Sequence, residues 1–269
     1  MAASLQSIVA ATRQRLLERG LHRPSTARRE LEQAAAEYSP RGFQHQLRRV
    51  AKDGIAIIAE LKKASPSKGL IRAEFDPSAL ATQLEQAGAA ALSVLTDEAF
   101  FQGSLRNLRE ASAGASLPCL RKDFIIDELQ IIEARANHAD AILLIVAALE
   151  QPQLIGLARI AEAHGLDVLC ETHDELELQR AIDAGCEVIG VNSRNLSTFE
   201  VTLDTALRLA EKIPANFVRV AESGIQSGAD LVRLRNVGYD AFLIGESLMR
   251  AAHPGEELKK MLQEAKNAG

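Results

Sequence analysis

Short apolar runs recur along the chain, separated by longer stretches of helical character. The runs are Ala56–Leu61, Ala90–Leu95, Pro118–Arg121 and Ala141–Ile145, then Asp167–Cys170, Glu187–Val191, Phe217–Ala221 and Ala241–Ile244. Their spacing of roughly 20–35 residues is that of βα units. Most are β-branched and nearly continuous in apolarity, as parallel strands buried on both faces must be. Four segments share one pattern of helix end, small or polar residues, then strand; they begin at Gly88, Asn137, Gly185 and Gly238. Gly or Asn there fits a left-handed helix C-cap, which a β-branched residue resists. The segments lead into every second strand, so the unit is βαβα, four times over. That predicts an α/β fold, a single (β/α)₈ barrel rather than an open doubly wound sheet, which would also want a G-x-G-x-x-G turn after its first strand.

Local signals agree with the pattern. Asp76-Pro77 reads as an N-cap followed by proline at the first helical position, and Thr172 with Glu175 reads as a capping box. Residues 1–50 precede the first strand and read as an N-terminal helical extension of the same domain. It contains one amphipathic helix (Leu5, Ile8, Val9, Leu16, Leu17), and it is expected to cover the barrel bottom or part of its mouth. Residues 51–269 form the barrel.

Composition narrows the class. A length of 269 residues suits one barrel of common size. With Trp absent and Tyr rare, the core must come from Ala, Leu, Ile and Val. A net charge of −5 offers no concentrated positive field for nucleic acid or an anionic membrane. Arg13, Arg15, Glu18 and Arg19 interrupt any signal-like run, and the longest apolar run, Ala141–Leu149, is too short to span a bilayer. The three cysteines are odd in number and match no metal-ligand spacing, so the expectation is a cytoplasmic chain with reduced thiols.

In a (β/α)₈ barrel the active site forms at the C-terminal ends of the strands. Here the odd strands finish in Glu60-Leu61-Lys62, Lys122-Asp123, Glu171 and Glu222. Burying such groups costs each ion several kcal/mol unless it is paired, so their recurrence on four alternate strands points to a shared cavity. Strand alternation turns Glu60 and Lys62 inward together. If Lys122 points inward, Cys119 faces the helix layer, and Cys170 does the same beside inward Glu171. Asn192 and Arg194 lie two apart at the end of the sixth strand and face the same cavity. A lone charged residue at a strand end is usually a solvated loop residue; the set together is a candidate active site. Ala221-Glu222-Ser223-Gly224 and Ile244-Gly245-Glu246-Ser247 end strands seven and eight, where glycines let backbone N–H groups approach a phosphate.

These segments resemble the indole-3-glycerol-phosphate synthase family. The resemblance is carried by IIAELKKASPSKG (57–69), TDEAFFQGS (96–104), CLRKDFIID (119–127), CETHDELE (170–177), GVNSRNL (190–196), VAESGI (220–225) and LIGESLM (243–249). It implies a substrate of anthranilate joined through nitrogen to a deoxyribulose 5-phosphate. It also implies ring closure with loss of carbon dioxide and then water, no cofactor and no metal. By the same resemblance Lys122 is the acid that protonates the ribulose carbonyl oxygen, and Glu171 the base of the later dehydration. Lys62 either holds the substrate carboxylate or serves as the acid expelling hydroxide. Glu60, Asn192 and Glu222 polarise or orient these groups, and Arg194 positions substrate. Ser65, Ser223, Gly224, Gly245 and Glu246 bind phosphate, the last through its backbone; the family often has Ser there, which puts a side-chain contact from Glu246 in doubt. Phe101, Phe124, Leu143 and Leu196 wall the anthranilate ring, although each alone also fits plain core. The implied partner is a small phosphorylated substrate, with the chain a monomer or weak homodimer.

Three other readings fit part of the pattern. Phosphoribosylanthranilate isomerase shares the phosphate site, but its family uses Cys at the first strand's end and Asp at the fifth. A Schiff-base aldolase fits two inward lysines. A barrel that only binds a phosphorylated ligand sits poorly with both Lys122 and Glu171 present.

Overall fold

The computed structural model describes residues 4–20, 24–195 and 200–268. Eight parallel strands close into a barrel: β1 (Ala56–Leu61), β2 (Ala91–Leu95), β3 (Cys119–Lys122), β4 (Ala141–Ile145), β5 (Asp167–Thr172), β6 (Val188–Asn192), β7 (Val218–Glu222) and β8 (Ala241–Ile244). Each lies within one or two residues of its expected position. Three of the differences matter: β3, β5 and β7 run on to include Lys122, Glu171 and Glu222, so these side chains are carried by rigid sheet rather than by loops. Beyond β1 the chain makes a small antiparallel hairpin, Ala64–Ser65 against Gly69–Leu70.

Alternation sorts the strand residues into two cores. Ile57, Ala59 and Leu61 of β1, with Cys119 and Cys170, pack outward among the helices. Ala56 and Ile58, with Leu120, Leu143, Leu169, Val188 and Val220, fill the barrel interior. Glu60 and Lys122 continue the inward series, as the period of two requires.

Three helices precede β1: α1 (Leu5–Arg19), α2 (Thr26–Glu37) and α3 (Phe43–Asp53). They serve both ends of the barrel. Phe43 and Leu47 of α3 are fully buried in the interior cluster and plug the bottom. α1 lies at the mouth, where Arg15 pairs with Asp97 at 2.6 Å, Arg19 pairs with buried Glu133, and Leu5 and Ile8 face the cavity. Its predicted apolar face is narrower than expected, since Leu17 is 62% exposed.

Three local expectations are corrected. The left-handed residue before β4 is His138 (φ 66°) rather than Asn137, whereas Gly88, Gly185 and Gly238 are left-handed as expected. His138 tolerates the strain while stacked on Tyr38, with ring centroids 4.8 Å apart. The helix after β5 (Glu175–Asp183) is capped by Asp174, which accepts from the Glu177 amide, and not by Thr172 with Glu175. Thr172 is still strand, and its hydroxyl donates to the Gly190 carbonyl across the sheet. Finally, the thiols are not all reduced: Cys170 and Cys186 form a disulfide with Cα atoms 6.3 Å apart, and Cys119 is free and buried. The helix between β5 and β6 folds the chain back so that both reach the outer layer together. An odd count of cysteines does not exclude such a pair.

Candidate active site

The C-terminal ends of the strands enclose a cavity of about 810 Å³. Glu60, Lys62, Lys122, Glu171, Asn192, Arg194 and Glu222 all line it, together with Ser65, Ser223, Gly224, Gly245, Glu246, Phe101, Phe124 and Leu143. Leu196, expected on the ring wall, lies outside the described residues. Lys122 Nζ sits 2.9 Å from Glu171 Oε2 and 3.6 Å from Glu222 Oε2. Lys62 Nζ donates to Glu60 Oε1 at 2.5 Å. Two ammonium groups thus sit among three carboxyls, and Asn192 hydrogen-bonds Glu171 from β6 while accepting the Arg194 amide at 3.0 Å.

Two glycines make room for these carboxyls. A Cβ on Gly190 would stand 2.1 Å from Glu222 Oε1, and one on Gly245 would stand 2.4 Å from Glu60 Oε1. Gly190 is the first residue of the GVNSRNL segment, and the sequence gives no sign of its closeness to Glu222. Gly245, taken there only as phosphate-facing backbone, also clears space for Glu60. On the outward side of β3, Arg121 is fully engaged by Asp123, Thr96 and the Gln130 carbonyl. Asp123 also accepts the Phe124 amide at 2.8 Å, which fixes the turn carrying Phe124. Phe124 faces Phe101 at 6.2 Å between centroids, so the two rings and Leu143 form an apolar wall beside the charges. Glu246 pairs with Arg250 (3.0 Å) and Arg194 (3.7 Å).

The sequence model for indole-3-glycerol phosphate synthase matches residues 5–261. The chain belongs to this family. It is 58% identical over 263 residues to the indole-3-glycerol phosphate synthase of Koribacter versatilis (strain Ellin345), covering 97% of this chain and all of that one. It is 46% identical to the enzyme of the same name from Polaromonas naphthalenivorans (strain CJ2), over 98% of this chain and all of the relative. Among solved structures the tryptophan synthase alpha chain from Legionella pneumophila subsp. pneumophila is similar at TM-score 0.61, 15% identity, 84% of this chain and 98% of that one. The 3-hexulose-6-phosphate synthase from Salmonella typhimurium is similar at TM-score 0.62, 14% identity, 80% of this chain and all of that one. These last two share the barrel alone.

In this indole-3-glycerol phosphate synthase family member the cavity groups set one another's charge. Burial opposes ionisation of Glu171, but Lys122, His173 and the hydrogen bonds from Lys122 and Asn192 win, and its carboxyl is held down at about 2. Glu222 goes the other way. Burial raises it, Lys122 opposes, and the negative charges of Glu171 and Glu60 add to burial, pushing it up to about 8. Burial disfavours the Lys122 ammonium, yet the three surrounding carboxyls more than restore it and raise its pKa. Glu60 is lowered by Lys62 and Lys122 against its own burial. Neighbouring carboxyls with pKa values driven apart are how one site holds an acid and a base at neutral pH. Sequence reasoning did not single out Arg250 or His173, nor did it show that Leu5 and Ile8, expected on the apolar face of the first helix, line the cavity. Arg250, Leu5 and Ile8 reach the cavity through tertiary placement that strand-end logic does not address.

Proposed function

We propose that this chain converts 1-(2-carboxyphenylamino)-1-deoxy-D-ribulose 5-phosphate to indole-3-glycerol phosphate, with Lys122 as the ring-closing acid and Glu171 as the base of dehydration. The observation that carries the assignment is the 2.9 Å Lys122–Glu171 pair, buried at the ends of two alternate strands and open to the cavity. The ring carbon bearing the carboxylate attacks the ribulose carbonyl carbon. As that bond forms, Lys122 delivers a proton to the carbonyl oxygen, which becomes a hydroxyl. The ring is now a cationic iminium, and the carboxylates of Glu60 and Glu171 stabilise it. Loss of carbon dioxide returns its electron pair to the ring. Glu171 then removes a proton while the new hydroxyl leaves as water, protonated by an ammonium group of the cavity.

Lys62 takes one of two parts, holding the substrate carboxylate or protonating that leaving hydroxyl. Its bond to Glu60 aims it either way. Phosphate lies by Ser65, Ser223, Gly224 and Gly245, and the anthranilate ring against the apolar wall of Phe101, Phe124 and Leu143. Arg194 and Arg250 are tethered to Glu246, which supports a role for that carboxylate in holding cations rather than in meeting phosphate. The partner is this small phosphorylated substrate.

The assay is direct. Purified protein given the carboxyphenylamino-deoxyribulose phosphate is expected to develop indole fluorescence and release one carbon dioxide per indole. No fluorescence change with a competent substrate preparation would refute the activity.

A further inference from the structure

His173 has no part in the reaction as written, and it stands directly behind the proposed base. It follows the last residue of β5 and does not line the cavity. Its ring is partly buried and clamped: Nδ1 lies 2.9 Å from Glu177 Oε2, and the same oxygen accepts the His173 amide at 2.8 Å. Nε2 makes no hydrogen bond among the described residues, but Glu171 Oε1 lies 3.5 Å from it. Each ring nitrogen therefore faces a carboxylate oxygen. A neutral imidazole would point one lone pair at one of those anions, so the geometry calls for protons on both nitrogens.

We propose that His173 is a positioning residue for the base: an imidazolium, anchored by Glu177, that holds Glu171 Oε1 while Lys122 holds Oε2. The proposal rests on Glu171 being the base. It assigns the imidazolium a purpose that Lys122 cannot fill. When Lys122 gives its proton to the substrate, Glu171 loses the cation on Oε2, and His173 remains as the compensating charge through the second half of the reaction. The groups facing the ring are Glu171 on the strand just before it, Glu177 on the helix that follows and Glu222 on β7. Lys122 lies beyond Glu171. The turn after β4 (Val146–Ala148), packed on the same helix, carries no ionisable side chain. Burial disfavours a charged ring here, and the surrounding carboxyls overcome it, raising the His173 pKa.

His173→Gln and Glu177→Gln are each expected to lower kcat roughly tenfold, the scale of a lost close charge–charge contact partly screened by its surroundings, with KM within about twofold because neither residue touches the cavity. The double variant should be no worse than either single one, since both remove the same device. The second measurement needs no variant at position 173. Imidazole NMR of the unaltered protein should show His173 titrating above the usual histidine value of about 6.5, and Glu171→Gln should lower that midpoint. Normal kcat in His173→Gln would overturn the proposal, as would a His173 midpoint that Glu171→Gln does not move. Failure of the underlying assignment looks different: Glu171→Gln would itself turn over normally, and the proposal would fall with it. An inactive Glu171→Gln beside a normal His173→Gln would reject the proposal alone.

Discussion

Two buried carboxyls at opposite ends of the barrel show what separates a structural charge from a working one. Asp140, just before β4 at the bottom, is fully enclosed and fully employed. Its oxygens accept from Tyr38 Oη (2.8 Å), the Arg41 amide (2.6 Å), the Arg41 guanidinium (2.9 Å) and the Cys119 amide (2.6 Å). It fastens the segment between α2 and α3 to the sheet. Glu222, at the top of β7, is as deeply buried, yet Oε1 has no hydrogen-bond partner among the described residues and the nearest cation, Lys122, is shared with Glu171. Asp140 has settled every lone pair against fixed partners. Glu222 and its neighbours keep unused capacity aimed at an 810 Å³ cavity. Burial of charge alone does not mark a site; burial with unfinished hydrogen bonding beside open space does.

The sharpest way to break this contrast is to remove one charge from each end. Lys122→Ala should lower kcat by about 10²–10⁴, the usual worth of a positioned acid. Its fold should survive, because the cavity admits water and the buried carboxyls left without their cation can take up a proton. A melting curve together with steady-state turnover checks both halves. Near-normal turnover would end the assignment of Lys122.

Asp140→Ala should do the reverse. It strands the Arg41 guanidinium among carbonyls, and breaking such a pair costs about 3–5 kcal/mol. Denaturant unfolding should show that loss, while the protein that remains folded keeps its kcat. A large fall in kcat with stability intact would erase the distinction between the two ends.

The smallest expected effect is in pH. Glu222 is held at about 8 in the folded protein, above its unfolded value. The folded state therefore keeps a proton that the unfolded chain has released, and stability falls as pH rises from the ordinary carboxylate range through about 8. Glu222→Gln removes that dependence. Its melting temperature should match that of the unaltered protein more closely at pH 5 than at pH 9, where the variant should melt higher by a few degrees, at roughly 2–4 °C per kcal/mol for a chain of this size. Parallel pH profiles for the two proteins would show that Glu222 is not raised.

The contrast also explains what could be read in advance. Strand runs, their alternation and the charges at their ends are local and periodic. The inward set of Glu60, Lys122, Glu171 and Glu222 therefore follows from counting by two along each strand. What could not be read is what the fold brings together across elements. The Cys170–Cys186 bridge depends on how one helix returns the chain, and the tether of Glu246 to Arg194 and Arg250 depends on two loops meeting. The docking of α1 across the mouth depends on Arg15 and Arg19 finding Asp97 and Glu133 about 80 to 115 positions away in the chain. Asp174 and Thr172 both suit an N-cap by type, and only the extra length of β5 decides between them. His173 was hidden for a related reason: a histidine just past a strand end is ordinary until its two carboxylate partners are located.

The central claim is a division of labour, with ring closure belonging to Lys122 and dehydration to Glu171. Glu171→Gln keeps the shape and much of the hydrogen bonding at the end of β5 but cannot accept the late proton. In a single turnover of this variant, carbon dioxide and indole should be measured on the same sample. The account predicts that carbon dioxide is released while indole formation falls by about 10²-fold or more, so that a decarboxylated intermediate accumulates. If carbon dioxide release fell as far as indole formation, Glu171 would act at or before ring closure, and the division of labour would be wrong.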